Sequence, residues 1–129
     1  MSEQQNVETI KSLYAAFGRG DIAFILDQLA PGVKWISNLD PVIPWSGDFT
    51  GHPQDFFKAI ADSVDVLGFE PGEFVVYGDT VVSMGTFASR AKSTGKSSNA
   101  KWIFVWKLSG GKVVSYEQFS DATMAAMFR

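Results

Sequence analysis

The stretch from Lys101 to Leu108 constrains the fold more than any other, because Trp102, Phe104, Trp106 and Leu108 alternate there with Lys101, Ile103, Val105 and Lys107. A two-residue period belongs to a β-strand and sends the four bulky side chains to one face. Rings of that size are core residues first and ligand contacts second. The opposite face carries two lysines around two aliphatic residues, as expected of a partly exposed surface or of a contact between two copies of the chain.

The surrounding sequence supplies partners for this strand. Gly72 to Tyr77, Thr80 to Arg90, Asn99 to Leu108 and Lys112 to Phe119 all read as strands. Gly78-Asp79 and Gly110-Gly111 have the chemistry of tight hairpins, and Ser93 to Ser98 forms a longer polar turn. An antiparallel meander is predicted. The first half differs: Val7, Ile10, Leu13, Tyr14 and Phe17 recur at spacings of three and four, which predicts an amphipathic helix from about Glu3 to Phe17. Asp21 caps a second helix carrying Ile22, Ile25, Leu26 and Leu29, stopped by Pro31-Gly32. After a strand from Val33 to Leu39 and a Pro- and Gly-rich loop, Pro53 opens a third helix with Phe56, Phe57, Ile60, Ala61 and Val64 on one face. A last helical turn is expected over Asp121 to Phe128. Helices first and strands afterwards indicate an α+β fold, since parallel βαβ units would alternate throughout.

The 129 residues suit one domain, 1–129, and a composition 46% hydrophobic and 19% charged is that of a globular chain. A net charge of −3 with scattered lysines and arginines argues against nucleic acid as a partner. There is no cysteine and one histidine, which excludes thiolate chemistry and the common histidine-based metal sites. No uncharged apolar run approaches the roughly 18 residues of a membrane helix. The polar start MSEQQNVETI lacks the pattern of a secretory signal, so no membrane association and a cytoplasmic location are expected.

Three strings in order carry a resemblance: Tyr14-Ala15-Ala16-Phe17-Gly18-Arg19-Gly20-Asp21, then Gly47-Asp48-Phe49-Thr50-Gly51 leading into Phe56-Phe57, then Gly111-Lys112-Val113-Val114. Over nearly its whole length the chain resembles SnoaL-like and ketosteroid-isomerase-related proteins of the nuclear-transport-factor-like superfamily. The resemblance implies a cone-shaped fold, with N-terminal helices packed in a strongly curved antiparallel sheet that encloses one apolar pocket. It also implies a homodimer formed through sheet faces. Members isomerise, cyclise, dehydrate, hydrolyse epoxides or only bind, so the reaction has to be read from individual residues.

The resemblance places Asp40, in Asp40-Pro41-Val42, where ketosteroid isomerases carry a general base. A carboxylate reaching a dry pocket would have its pKa raised. The bland alternative is an Asp-Pro turn whose side chain bonds nearby amides. Asp121 is a candidate acid partner, with Glu117 on its side of an ideal strand, against the alternative that it caps the last helical turn. The oxyanion donors of ketosteroid isomerases fall at Leu13 and near Phe104, so they are missing or moved. His52 is read as a helix-start residue, with proton shuttling as the lesser alternative. Trp35, Trp45, Trp102, Phe104 and Trp106 are assigned to a pocket wall, with Tyr14 and Asn38 as polar contacts. The expected function is binding of a small hydrophobic, carbonyl-containing molecule, with acid-base isomerase or cyclase activity and no cofactor. The alternative is a non-enzymatic ligand-binding or dimerisation module.

Overall fold

Local signals start the helices where the sequence places them. The computed structural model describes residues 2–129; Met1, the first residue of the expected domain, lies outside them. Helix α1, Glu3–Gly18, opens on a reciprocal capping box in which Ser2 Oγ accepts from the Gln5 amide at 3.1 Å and Gln5 Oε1 accepts from the Ser2 amide at 2.9 Å. Gly20, at φ +74°, turns the chain out of α1, and Asp21 caps helix α2, Ile22–Asp27, by accepting from the Phe24 amide at 3.1 Å. Helix α3, Pro53–Ser63, starts on its proline, whose missing N–H costs nothing in a first turn.

The strands are β1 (Leu29–Asn38), β2 (Gly47–Asp48), β3 (Val64–Tyr77), β4 (Thr80–Ala91), β5 (Ser97–Ser109) and β6 (Lys112–Ser120). They form one sheet in the order β2-β1-β6-β5-β4-β3. The sheet is mixed, which corrects the antiparallel expectation: β3 to β6 make the predicted meander, but β1 runs parallel to β6. A parallel neighbour needs a long crossover, and α3 with the four strands β2 to β5 supplies it. A 3₁₀ segment, Ala122–Phe128, closes the chain. The whole is the cone of the nuclear-transport-factor-like fold, with the helices on the concave side. No helix among the described residues is long and apolar enough to cross a membrane.

Two element boundaries differ from expectation. Leu29 belongs to β1, paired with Val113, rather than to α2. Val64 begins β3 eight residues before the predicted Gly72. Gly68 and Pro71 obscure that strand, and both sit at register shifts; Pro71 is tolerated because β3 is an edge strand with no partner on its outer side.

The alternation in β5 holds: Trp102, Phe104, Trp106 and Leu108 are buried, while Lys101, Ile103 and Lys107 face out. The Trp102 ring stacks on Phe104 at 3.9 Å and on Phe69 of β3 at 5.2 Å. Gly85 of β4 makes this possible. A Cβ there would lie 2.4 Å from the Glu70 carbonyl oxygen and 2.4 Å from the Trp102 ring. Gly85→Ala is therefore expected to lower stability by about 1–3 kcal/mol in urea unfolding. An unchanged midpoint would show that the indole is not held against this glycine.

Candidate functional site

The concave side of the sheet and the helices above it surround a cavity of about 60 Å³. From α1 come Leu13, Tyr14 and Phe17, from α2 Ile25, and from α3 Phe56, Phe57 and Ile60. The sheet supplies Trp35, Phe69, Phe87, the three rings of β5, and Tyr116 and Gln118 of β6. Trp45 of the loop before β2 and Met124 of the 3₁₀ segment complete the wall. No carboxylate, lysine, arginine or histidine lines it.

Polar groups in this wall are few and mostly committed. Trp106 Nε1 donates to the Tyr14 hydroxyl at 2.7 Å, and the same hydroxyl shares a short hydrogen bond with Ser83 Oγ. Burial pushes the Tyr14 pKa up, only partly offset by these two bonds. Burial, with Tyr14 nearby, pushes Tyr116 up as well. Both phenols stay protonated at neutral pH. Tyr116 and Ser37 each donate to Gln118 Oε1 at 3.2 Å. The indole N–H groups of Trp35 and Trp102 are buried with no acceptor among the described residues.

Six of the expected pocket residues therefore stand in the wall together: Tyr14, Trp35, Trp45, Trp102, Phe104 and Trp106. Asn38 and His52 do not. Asn38 is exposed at the end of β1, donating to the Gln118 carbonyl at 3.2 Å and, weakly, to Glu117. His52 is exposed at the start of α3, its ring 3.0 Å from Asp55.

Neither proposed catalytic carboxylate reaches the cavity. Asp40 lies at the surface, where Oδ1 accepts from the Val42 amide at 2.9 Å and Oδ2 pairs with Arg129 at 2.7 Å. The Val42 bond first, then Arg129, hold its pKa below the ordinary range, opposite to the rise expected of a base in a dry pocket. The turn alternative describes this geometry. Asp121 caps the 3₁₀ segment through the Thr123 amide at 3.1 Å and accepts from the Lys101 amide at 3.0 Å. Partial burial works to raise its pKa, but bonds from Thr123 and Lys101 outweigh it and leave it lowered. Glu117 faces out to Lys34 at 3.0 Å. Among the described residues no three His, Asp or Glu side chains cluster as metal ligands.

Sequence reasoning missed Phe69, Phe87, Tyr116 and Gln118 as wall residues. The signal for Gln118 is strand parity: it pairs with Ser37 and with Phe104, both inward-facing, and so shares their side.

A bent sheet closed over helices around a ring-lined cavity defines an α+β protein of the nuclear-transport-factor-like cone class. Residues 10–116 match the SnoaL-like domain, and the chain belongs to that family. It is similar to an NTF2-like protein from Burkholderia xenovorans LB400, at 31% identity and TM-score 0.86 over 100% of this chain and 99% of that one. An NTF2-like protein from Burkholderia pseudomallei K96243 is 28% identical, with TM-score 0.85 over 99% and 98% of the two chains. TerC, crystallised with polyporic acid, is 27% identical, with TM-score 0.77 over 91% and 92%. No curated protein matches the chain.

The Asp40–Arg129 pair ties the loop after β1 to the C-terminus, and its pH dependence follows from the lowered pKa. A carboxyl whose folded pKa is depressed contributes stability above its unfolded value of about 3.9, and that contribution is lost as pH falls through the folded value. Asp40→Asn should lower the thermal midpoint slightly at pH 7, as for an exposed pair, and differ less from the unsubstituted protein at pH 3. Calorimetry at both values checks this; a difference that grows in acid would contradict it.

Proposed function

We propose that the cavity binds a small, apolar, ring-bearing carbonyl compound. The observation that carries this is a ring-lined, uncharged wall in which the indole N–H groups of Trp35 and Trp102 lack acceptors. A buried donor without a partner costs about 1–3 kcal/mol, and a guest bearing an acceptor oxygen recovers part of that. Aromatic walls suit flat apolar guests. That TerC was crystallised with polyporic acid supports an organic ligand for this fold. The cavity of about 60 Å³ is small for a ring, so the partly buried Phe17, Phe57 and Phe69 have to give way on binding.

Binding is favoured over acid-base turnover. Moving a proton between carbons needs a base within about 3 Å of it, and the wall offers two protonated phenols and no carboxylate. One-ring and two-ring ketones such as 1-indanone and 2-tetralone are expected to quench tryptophan fluorescence saturably. In D₂O the α-protons of bound 2-tetralone should exchange no faster than without protein. Absence of saturable quenching by every such ketone would refute the binding reading. Accelerated exchange that Asp40→Asn or Asp121→Asn abolishes would restore the enzyme.

The partner proposed for the outer face of the sheet is a second copy of the chain. Met84, Ile103 and Phe119 are register neighbours across β4, β5 and β6 and are 36%, 42% and 43% exposed. Lys107 and Glu117 border them, so a two-fold axis can set opposite charges face to face. Sedimentation at micromolar concentration should give a dimer that Ile103→Glu converts to a monomer. A monomeric unsubstituted protein would exclude this assembly.

A further inference from the structure

We infer that Gln118 determines the specificity of the cavity, its side-chain amide donating from Nε2 to a carbonyl oxygen of the guest. This rests on the ligand-binding reading above and goes further, because it names the selecting atom and the chemistry it selects.

Gln118 is only 6% exposed and lines the cavity near the middle of the sheet, between Ser37 of β1 and Phe104 of β5. Its orientation is determined by its neighbours. Tyr116 and Ser37 are buried hydroxyls, each 3.2 Å from Gln118 Oε1, and neither has another side-chain partner among the described residues. A buried O–H needs an acceptor. Reversing the amide would let its NH₂ donate to the two hydroxyl oxygens but would leave both buried O–H groups without an acceptor, so the oxygen faces them. Both of its lone pairs are then used.

Nε2 is left on the other side, with two N–H bonds and no partner among the described residues. The remaining uncommitted polar groups of the wall are the indole N–H groups of Trp35 and Trp102, which are donors as well. Acceptor capacity is small: the Tyr14 hydroxyl already takes Trp106 N–H and bonds Ser83, Gln118 Oε1 takes two hydroxyls, and the Tyr116 hydroxyl oxygen keeps lone pairs that nothing uses. A wall whose free donors outnumber its free acceptors favours a guest that accepts. A ring ketone or quinone fits. The matching alcohol can also accept, but its own O–H has few acceptors to turn to, the Tyr116 oxygen being the one left unused.

The test compares three probes of one shape, 1-indanone, 1-indanol and indane, by tryptophan fluorescence and calorimetry. The unsubstituted protein should bind 1-indanone about tenfold more tightly than 1-indanol. Gln118→Leu should lose the preference for 1-indanone over 1-indanol. Because that change strands two buried hydroxyls, Gln118→Leu is also made together with Tyr116→Phe and Ser37→Ala, which removes them and secures a folded comparison. The Tyr116→Phe, Ser37→Ala pair alone frees the amide to turn and should weaken the preference for the ketone over the alcohol. If no probe binds the unsubstituted protein, the ligand-binding reading fails and takes this inference with it. If all three bind equally, or the ketone preference survives Gln118→Leu in the folded triple variant, Gln118 is not the selector although the cavity still binds.

Discussion

The rings of β5 are the constraint on which the concave side of the sheet depends, because their stacking and edge contacts decide what α1 can pack against. Trp102 and Phe104 stack on each other and on Phe69, making three parallel plates along the sheet. Trp106 lies crosswise to Phe104, at 82°, and is tied to α1 through Tyr14. Protein interiors normally close to the density of organic crystals. Here Tyr14 of α1 meets the plates edge-on, 5.4 Å from Phe69 and 5.8 Å from Trp102, and takes the Trp106 N–H, and a cavity of about 60 Å³ is left among the rings. The cavity follows from the shape and bonding of its wall. Gly85 is part of the same device, because the Trp102 plate can lie against β4 only where no Cβ stands.

Hydrogen bonding and charge are separated in space. The tyrosines inside the cone act as hubs that hold tryptophan, serine and glutamine side chains in register, and burial keeps both phenols neutral. Ionised groups sit outside, bonded to backbone amides or to one another. A cavity built this way acts on a guest through shape and N–H donors, with little field from charged side chains.

Much of this was legible in the sequence, and the exceptions have physical causes. The ring face of β5, the hairpin glycines, the helix caps and six of the wall residues are local signals that survive in three dimensions. The start of β3 was hidden because Gly68 and Pro71 read as breaks, while an edge strand accommodates both as irregularities. The parallel β1–β6 pair joins segments about eighty residues apart, and no local pattern encodes such a pairing. The inward side of β6 turned on a single step of parity between Glu117 and Gln118, which only the register with Ser37 and Phe104 decides. The placement of Asp40 depends on Arg129, eighty-nine residues away, returning beside it.

That last placement also sets what Asp40 would have to give up to act as a base. Residues 40–42 form a turn in which the Asp40 carboxylate is already satisfied by the Val42 amide and the Arg129 guanidinium. To act as a base inside the cone it would have to give up both bonds and enter, as an anion, a wall of rings with no cation to meet it. An unpaired carboxylate in such surroundings loses its charge before it can be held there. The barrier to Asp40 serving as a base in the cavity therefore lies in the turn as much as in the wall. A change of loop conformation after β1 that released Asp40 from Val42 and Arg129 would be the shortest route to placing a base at this cavity.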